Sequence, residues 1–103
     1  MATLVITELH CFRKNDLTGV DEPRLWVDNK VVWRGVIEKE GVEQVGTSDE
    51  FEDTVGVMLE EMNGDNPKQI GSTFFVNADG NNPTFGEFKT SGTHYHIHYQ
   101  VHS

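Results

Sequence analysis

Cysteine is almost missing from this chain: Cys11 stands alone, so no intramolecular disulfide can staple the fold. Basic residues are scarce too, with 8 Lys and Arg against 17 Asp and Glu and a formal net charge of −9. A surface that negative repels phosphate backbones, which argues against nucleic acid as a partner. It also repels anionic lipid headgroups unless a cation neutralises it first. Long apolar runs are lacking, so no segment reads as a membrane-spanning helix. The N-terminal stretch Met1–Glu8 has neither a basic n-region nor a long apolar h-region. It reads as a first strand, not a secretory signal, and the expected location is cytoplasmic or non-classically exported.

Catalytic motifs are also wanting. The chain has no Gly-x-Ser-x-Gly, no paired cysteines, no His-Glu-x-x-His and no phosphate-cradling glycine loop. Cys11 follows His10, but strand neighbours point to opposite faces and cannot form a nucleophile–base pair, so Cys11 reads as a buried structural thiol. These absences favour a binding module over an enzyme.

What is present is period-two alternation over 103 residues, enough for one core and one domain. Thr3 to Cys11 sets Leu4 and Ile6 against Val5 and Leu9, a strand expected to be buried largely on both faces. Leu25-Trp26-Val27 and Val31-Val32-Trp33 flank Asp28-Asn29-Lys30 as a hairpin whose turn tolerates left-handed geometry. Trp26 and Trp33 would then lie near one another across the two strands. Gly41–Gly46, the stretch from Ile70 to Val76, Phe85–Phe88 and His94–Val101 supply further strands, with a turn cluster over Ala78–Pro83. Thr47–Glu50 has capping-box spacing ahead of Phe51, Val55, Leu59 and Met62, a helix signal. Mid-segment Gly56 and β-branched Thr54, Val55 and Val57 favour a strand from about Asp53 to Glu60 instead, with the helix as the alternative. The expected fold is all-β, a single antiparallel sandwich or Greek key of about seven or eight strands.

Two acidic loops invite a cation. The first runs Asn15-Asp16-Leu17-Thr18-Gly19-Val20-Asp21-Glu22-Pro23, and the second runs Glu60-Glu61-Met62-Asn63-Gly64-Asp65. Clustered carboxylates and loop carbonyls can supply the roughly six to eight oxygens a Ca²⁺ ion takes. These loops resemble those of the C2 domain, whose first loop reads Asp-x-x-Gly-x-Ser-Asp-Pro-Tyr-Val-x-Val. Asp16, Gly19, Pro23, Leu25 and Val27 fall in register with it, Glu22 holds the second acidic position, and Asp21 replaces the serine. Counting back from Ile70-Gly71 sets Glu60 at the first acid of the family's other loop, whereas Met62 and Lys68 stand where two further acids are usual. Glu61, Asn63 and Asp65 are the remaining oxygen donors there. The resemblance implies a C2-like β-sandwich with calcium held between end loops, near Asp16, Asp21, Glu22 and Glu60. Its expected partner is a membrane surface, a carbohydrate or a protein.

The most unusual stretch is His94-Tyr95-His96-Ile97-His98-Tyr99-Gln100-Val101-His102. On a strand, Tyr95, Ile97, Tyr99 and Val101 take one face, expected to be the core, while His94, His96, His98 and His102 take the other. Residues two apart on one face are about 6.5–7 Å apart, close enough for imidazoles to converge on Zn²⁺, Cu²⁺ or Ni²⁺. His94, His96 and His98 are the candidate ligands, and a neighbouring strand would have to add a carboxylate or His10. Calcium-assisted binding is thus the first expectation. The alternatives are a metal-free, self-associating homo-oligomer and a histidine-based transition-metal protein.

Overall fold

Alternating sequences fold as strands, and the described residues of the computed structural model form eight of them. It describes residues 1–13, 22–38, 40–63 and 66–103, of residue 63 the backbone alone. The strands are β1 (Ala2–Arg13), β2 (Pro23–Val27), β3 (Lys30–Arg34), β4 (Val42–Phe51), β5 (Thr54–Asn63), β6 (Asn66–Asn77), β7 (Phe85–Lys89) and β8 (His94–His102). They pair antiparallel into two four-stranded sheets, ordered β4-β1-β8-β7 and β3-β2-β5-β6. Among the described residues there is no helix, and none long and apolar enough to cross a membrane. The all-β expectation holds, and the two layers are compatible with a β-sandwich.

The inner faces meet in one apolar cluster. The first sheet contributes Leu4, Ile6, Leu9, Cys11, Phe88, Tyr95 and Ile97, and the second contributes Leu25, Val27, Val57, Leu59, Ile70 and Val76. At about 25 cal/mol per Å² of apolar area removed from water, this shared burial is the main force holding the sheets together. Cys11 sits in that cluster while His10 faces out, which keeps the thiol and the imidazole apart. Glycine lets the layers close at one corner. Gly71 (φ +69°) bulges β6 against the end of β7, where an added Cβ would come within 2.7 Å of the Lys89 amide nitrogen. Gly86 leaves room on β7 for Ile97 and the Phe74 ring, each of which would lie under 3.0 Å from an added Cβ.

Three expectations need correction. The pairing of β1 shifts between Ile6 and Glu8, a bulge that returns Leu9 to the side of Leu4 and Ile6, so β1 has one buried face, not two. Val5 faces outward and is half-buried. The register of the β2–β3 hairpin also shifts, placing Trp33 opposite Leu25 and Val31 opposite Trp26. Trp33 therefore packs on the core, while Trp26 lies on the opposite face and cannot stack with it. The short strand expected at Gly41–Gly46 extends to Phe51, because Thr47–Glu50 pairs with β1 instead of capping a helix. Asp53, left-handed at φ +59°, turns the chain into β5 of the other sheet, consistent with the strand expected near Asp53–Glu60.

Candidate metal centre

The hairpin β7–β8 sets up the site. A four-residue turn closed by the Thr90 amide donating to the Thr93 carbonyl (2.9 Å) pairs Lys89 with His94, Phe88 with Tyr95 and Glu87 with His96. Tyr95 and Phe88 enter the core with no exposed surface, so the alternation turns Glu87, His94 and His96 outward. Glu87 Oε2 lies 2.8 Å from His94 Nε2 and 3.2 Å from His96 Nε2, and the two imidazole nitrogens are 3.0 Å apart. The Phe85 ring stacks on His96 at 4.1 Å, and Phe12 of β1 meets the same imidazole edge-on at 4.5 Å. These rings keep His96 in place and half-buried.

Protons satisfy this triangle only in part. If both Nε2 atoms carry hydrogen and donate to Glu87, two N–H groups confront one another at 3.0 Å. If one Nε2 is bare, its lone pair faces either the carboxylate or a donor already committed. A cation held by the three atoms would accept their lone pairs instead. A separation of about 3.0 Å is close to that of neighbouring donors around an ion bound at about 2.1 Å, so these three residues could hold one. Burial holds His96 below the usual imidazole range, with Glu87 pulling partly the other way, so the neutral, ligating form is favoured. Hydrogen bonds from His94 and then His96 hold the Glu87 carboxyl below its usual range, keeping it anionic.

Beside this triangle lies a looser group. The pairing of β1 with β8 brings His10 opposite His96 and Glu8 opposite His98. Glu8 Oε1 is 3.1 Å from His10 Nε2, the His10 and His98 rings stack at 4.2 Å, and ligand atoms of all three residues fall within 4.8 Å of one another. Gln44 of β4 donates to Glu8 Oε2 (2.9 Å). His94 and His96 thus converge as expected, but His98 joins His10 instead of them. Both partners foreseen for the ladder are supplied, carboxylates as well as His10. Glu87 was readable in principle: counting outward from the Thr90–Thr93 turn pairs it with His96. Glu8 was not, because its partner strand begins more than eighty residues away.

Of the acidic-loop candidates, Asp16, Asp21, Asp65 and the side chain of Asn63 lie outside the described residues. Glu22 is exposed ahead of β2, and its carbonyl accepts from the Met62 amide at 3.2 Å. Glu61 is half-buried opposite Pro23, so the flanks of the two acidic loops lie side by side. The Glu60 carboxylate is engaged by the Arg24 guanidinium and accepts from Trp26 Nε1 (3.2 Å). Compared with models of known families and with curated protein sequences, the chain matches none.

Proposed function

We propose that the outward face of β7 and β8 binds a divalent transition-metal ion through Glu87 Oε2, His94 Nε2 and His96 Nε2. The observation that carries this reading is the triangle of three ligand atoms separated by 2.8, 3.0 and 3.2 Å. Two imidazoles with one carboxylate suit Zn²⁺, Ni²⁺, Cu²⁺ or Fe²⁺ better than Ca²⁺, which prefers oxygen. Three ligands from one face leave coordination positions open on the solvent side, for water or for a donor atom of another molecule. The net charge of −9 raises the local concentration of cations. Lys89, outward on the same strand, works against it. The test is calorimetric titration of chelator-stripped protein with Zn²⁺. A tight saturable step that disappears in Glu87→Gln and in His94→Ala/His96→Ala supports the reading, and equal heats in all three proteins overturn it.

A second reading keeps the C2-like interpretation, with Ca²⁺ at the end where Glu22 and Met62 hydrogen-bond and β2 meets β5. There Asp16, Asp21, Glu22, Glu61 and Asp65 would provide oxygens and a membrane, carbohydrate or protein would be the partner. Glu60 is the weakest member of that set, since Arg24 and Trp26 already occupy its carboxylate. A rise in melting temperature with millimolar Ca²⁺ supports this reading, and its absence removes it.

A further inference from the structure

We infer that the same sheet face carries a second, weaker divalent-metal site formed by Glu8, His10 and His98. The inference rests on reading this face as metal-binding, but it uses none of the residues of the Glu87 triangle.

The donor set is again two imidazoles and one carboxylate, and two features prepare it. Gln44 holds one oxygen of Glu8, which leaves Oε1 directed at His10, the kind of supporting hydrogen bond that orients a carboxylate ligand. His98 is anchored through its backbone carbonyl, which accepts from Thr7 Oγ1 (3.0 Å), while its exposed ring stacks nearly parallel to His10 (14°). Its ring can therefore turn toward Glu8 without disturbing the strand.

Three features make this site the weaker one. Its ligand atoms lie within 4.8 Å of one another, but among the described residues only Glu8 and His10 of the three are joined by a side-chain hydrogen bond, whereas all three pairs of the Glu87 triangle lie at 2.8–3.2 Å. Glu8 and His10 already satisfy one another through a single hydrogen bond, so a metal must displace that proton. An ion at the Glu87 triangle also repels one bound beside it, since His10 pairs directly with His96.

Titration of the full chain with Zn²⁺ against a chromophoric chelator, with stoichiometry by native mass spectrometry, tests this. The wild type should take up two ions, the second at least about tenfold more weakly. Glu8→Gln and His98→Ala should each remove the weak step and leave the tight one unchanged. Glu87→Gln should remove the tight step and retain the weak one. Saturation at one ion, lost in Glu87→Gln, overturns the second site while the first stands. One ion lost in Glu8→Gln but kept in Glu87→Gln upholds the Glu8 site and overturns the Glu87 triangle. A second ion retained in both Glu8→Gln and His98→Ala overturns the inference.

Discussion

Glu60 and Glu87 occupy outward-facing strand positions on opposite sheets, and their surroundings make them different chemical objects. Glu60 is about one-fifth exposed, ion-paired to Arg24 and hydrogen-bonded by Trp26. A guanidinium is a permanent cation and a donor only, with no acceptor to offer a metal ion. Glu87 is half-exposed and faces two imidazoles, which exchange a donor for an acceptor with each proton gained or lost. A carboxylate met by a permanent cation contributes structure. One met by two imidazoles at coordinating distance could hold an exchangeable ion, the reading proposed above.

Parallel substitutions break or sharpen that contrast. The largest effect expected is on binding: Glu87→Gln should weaken Zn²⁺ by more than the roughly 10–100-fold cost of losing a supporting hydrogen bond, read by chelator competition. Its effect on the melting temperature should be small, because an exposed side chain is replaced by one of similar shape. Arg24→Ala should do the reverse. Urea unfolding should show a loss of about 1–3 kcal/mol as Glu60 loses its cation, with Zn²⁺ affinity unchanged. The Arg24 Nε is itself buried with no hydrogen-bond partner among the described residues, which moderates the loss.

Acid acts next on the Glu87 side of the comparison. Folded His96 takes up a proton less readily than the unfolded chain does, so the unfolded chain binds more protons as pH falls through the imidazole range, and stability falls with it. Glu87 adds a further loss lower down, since its folded carboxyl protonates later than its unfolded one. Melting temperatures should therefore fall from pH 7 to 5, and Zn²⁺ affinity should fall more steeply, because protons compete for both imidazoles. His96→Gln should flatten the upper part of that stability profile. The smallest effects lie at Lys89 and Asp49. Lys89→Ala should tighten Zn²⁺ a few-fold at low salt, and added salt should erase the gain. Burial raises the Asp49 carboxyl, so its charged form is penalised at neutral pH. Asp49→Asn should raise the melting temperature there, and the advantage should vanish as the pH drops below about 3.9, where the native acid is neutral in both states.

Much of the candidate site could be read from the chain. The alternation in His94–His102 assigns Tyr95 and Ile97 to the core and the histidines to the outer face, because side-chain direction on a strand is a local property. The grouping of those histidines was less accessible. His98 belongs with His10 because β1 lies beside β8, and the bulge after Ile6 decides which β1 residues share its face. Pairing between distant strands depends on how both bury their apolar sides, which no local window contains. The bulges of β1 and β3 were hidden for the same reason, and with them the separation of Trp26 from Trp33.

By itself, the sequence determined the strand-forming habit of the chain, its acidity, and which face of each regular strand is apolar. All of these follow from side-chain chemistry and a two-residue period. Only the tertiary structure decided that Glu87 meets His94 and His96, that Glu8 and His10 gather beside His98, and that Arg24 engages Glu60. Convergence of ligand atoms to within about 3 Å depends on register across hydrogen-bonded strands, and a slip of one residue would turn every one of these groups to the other face.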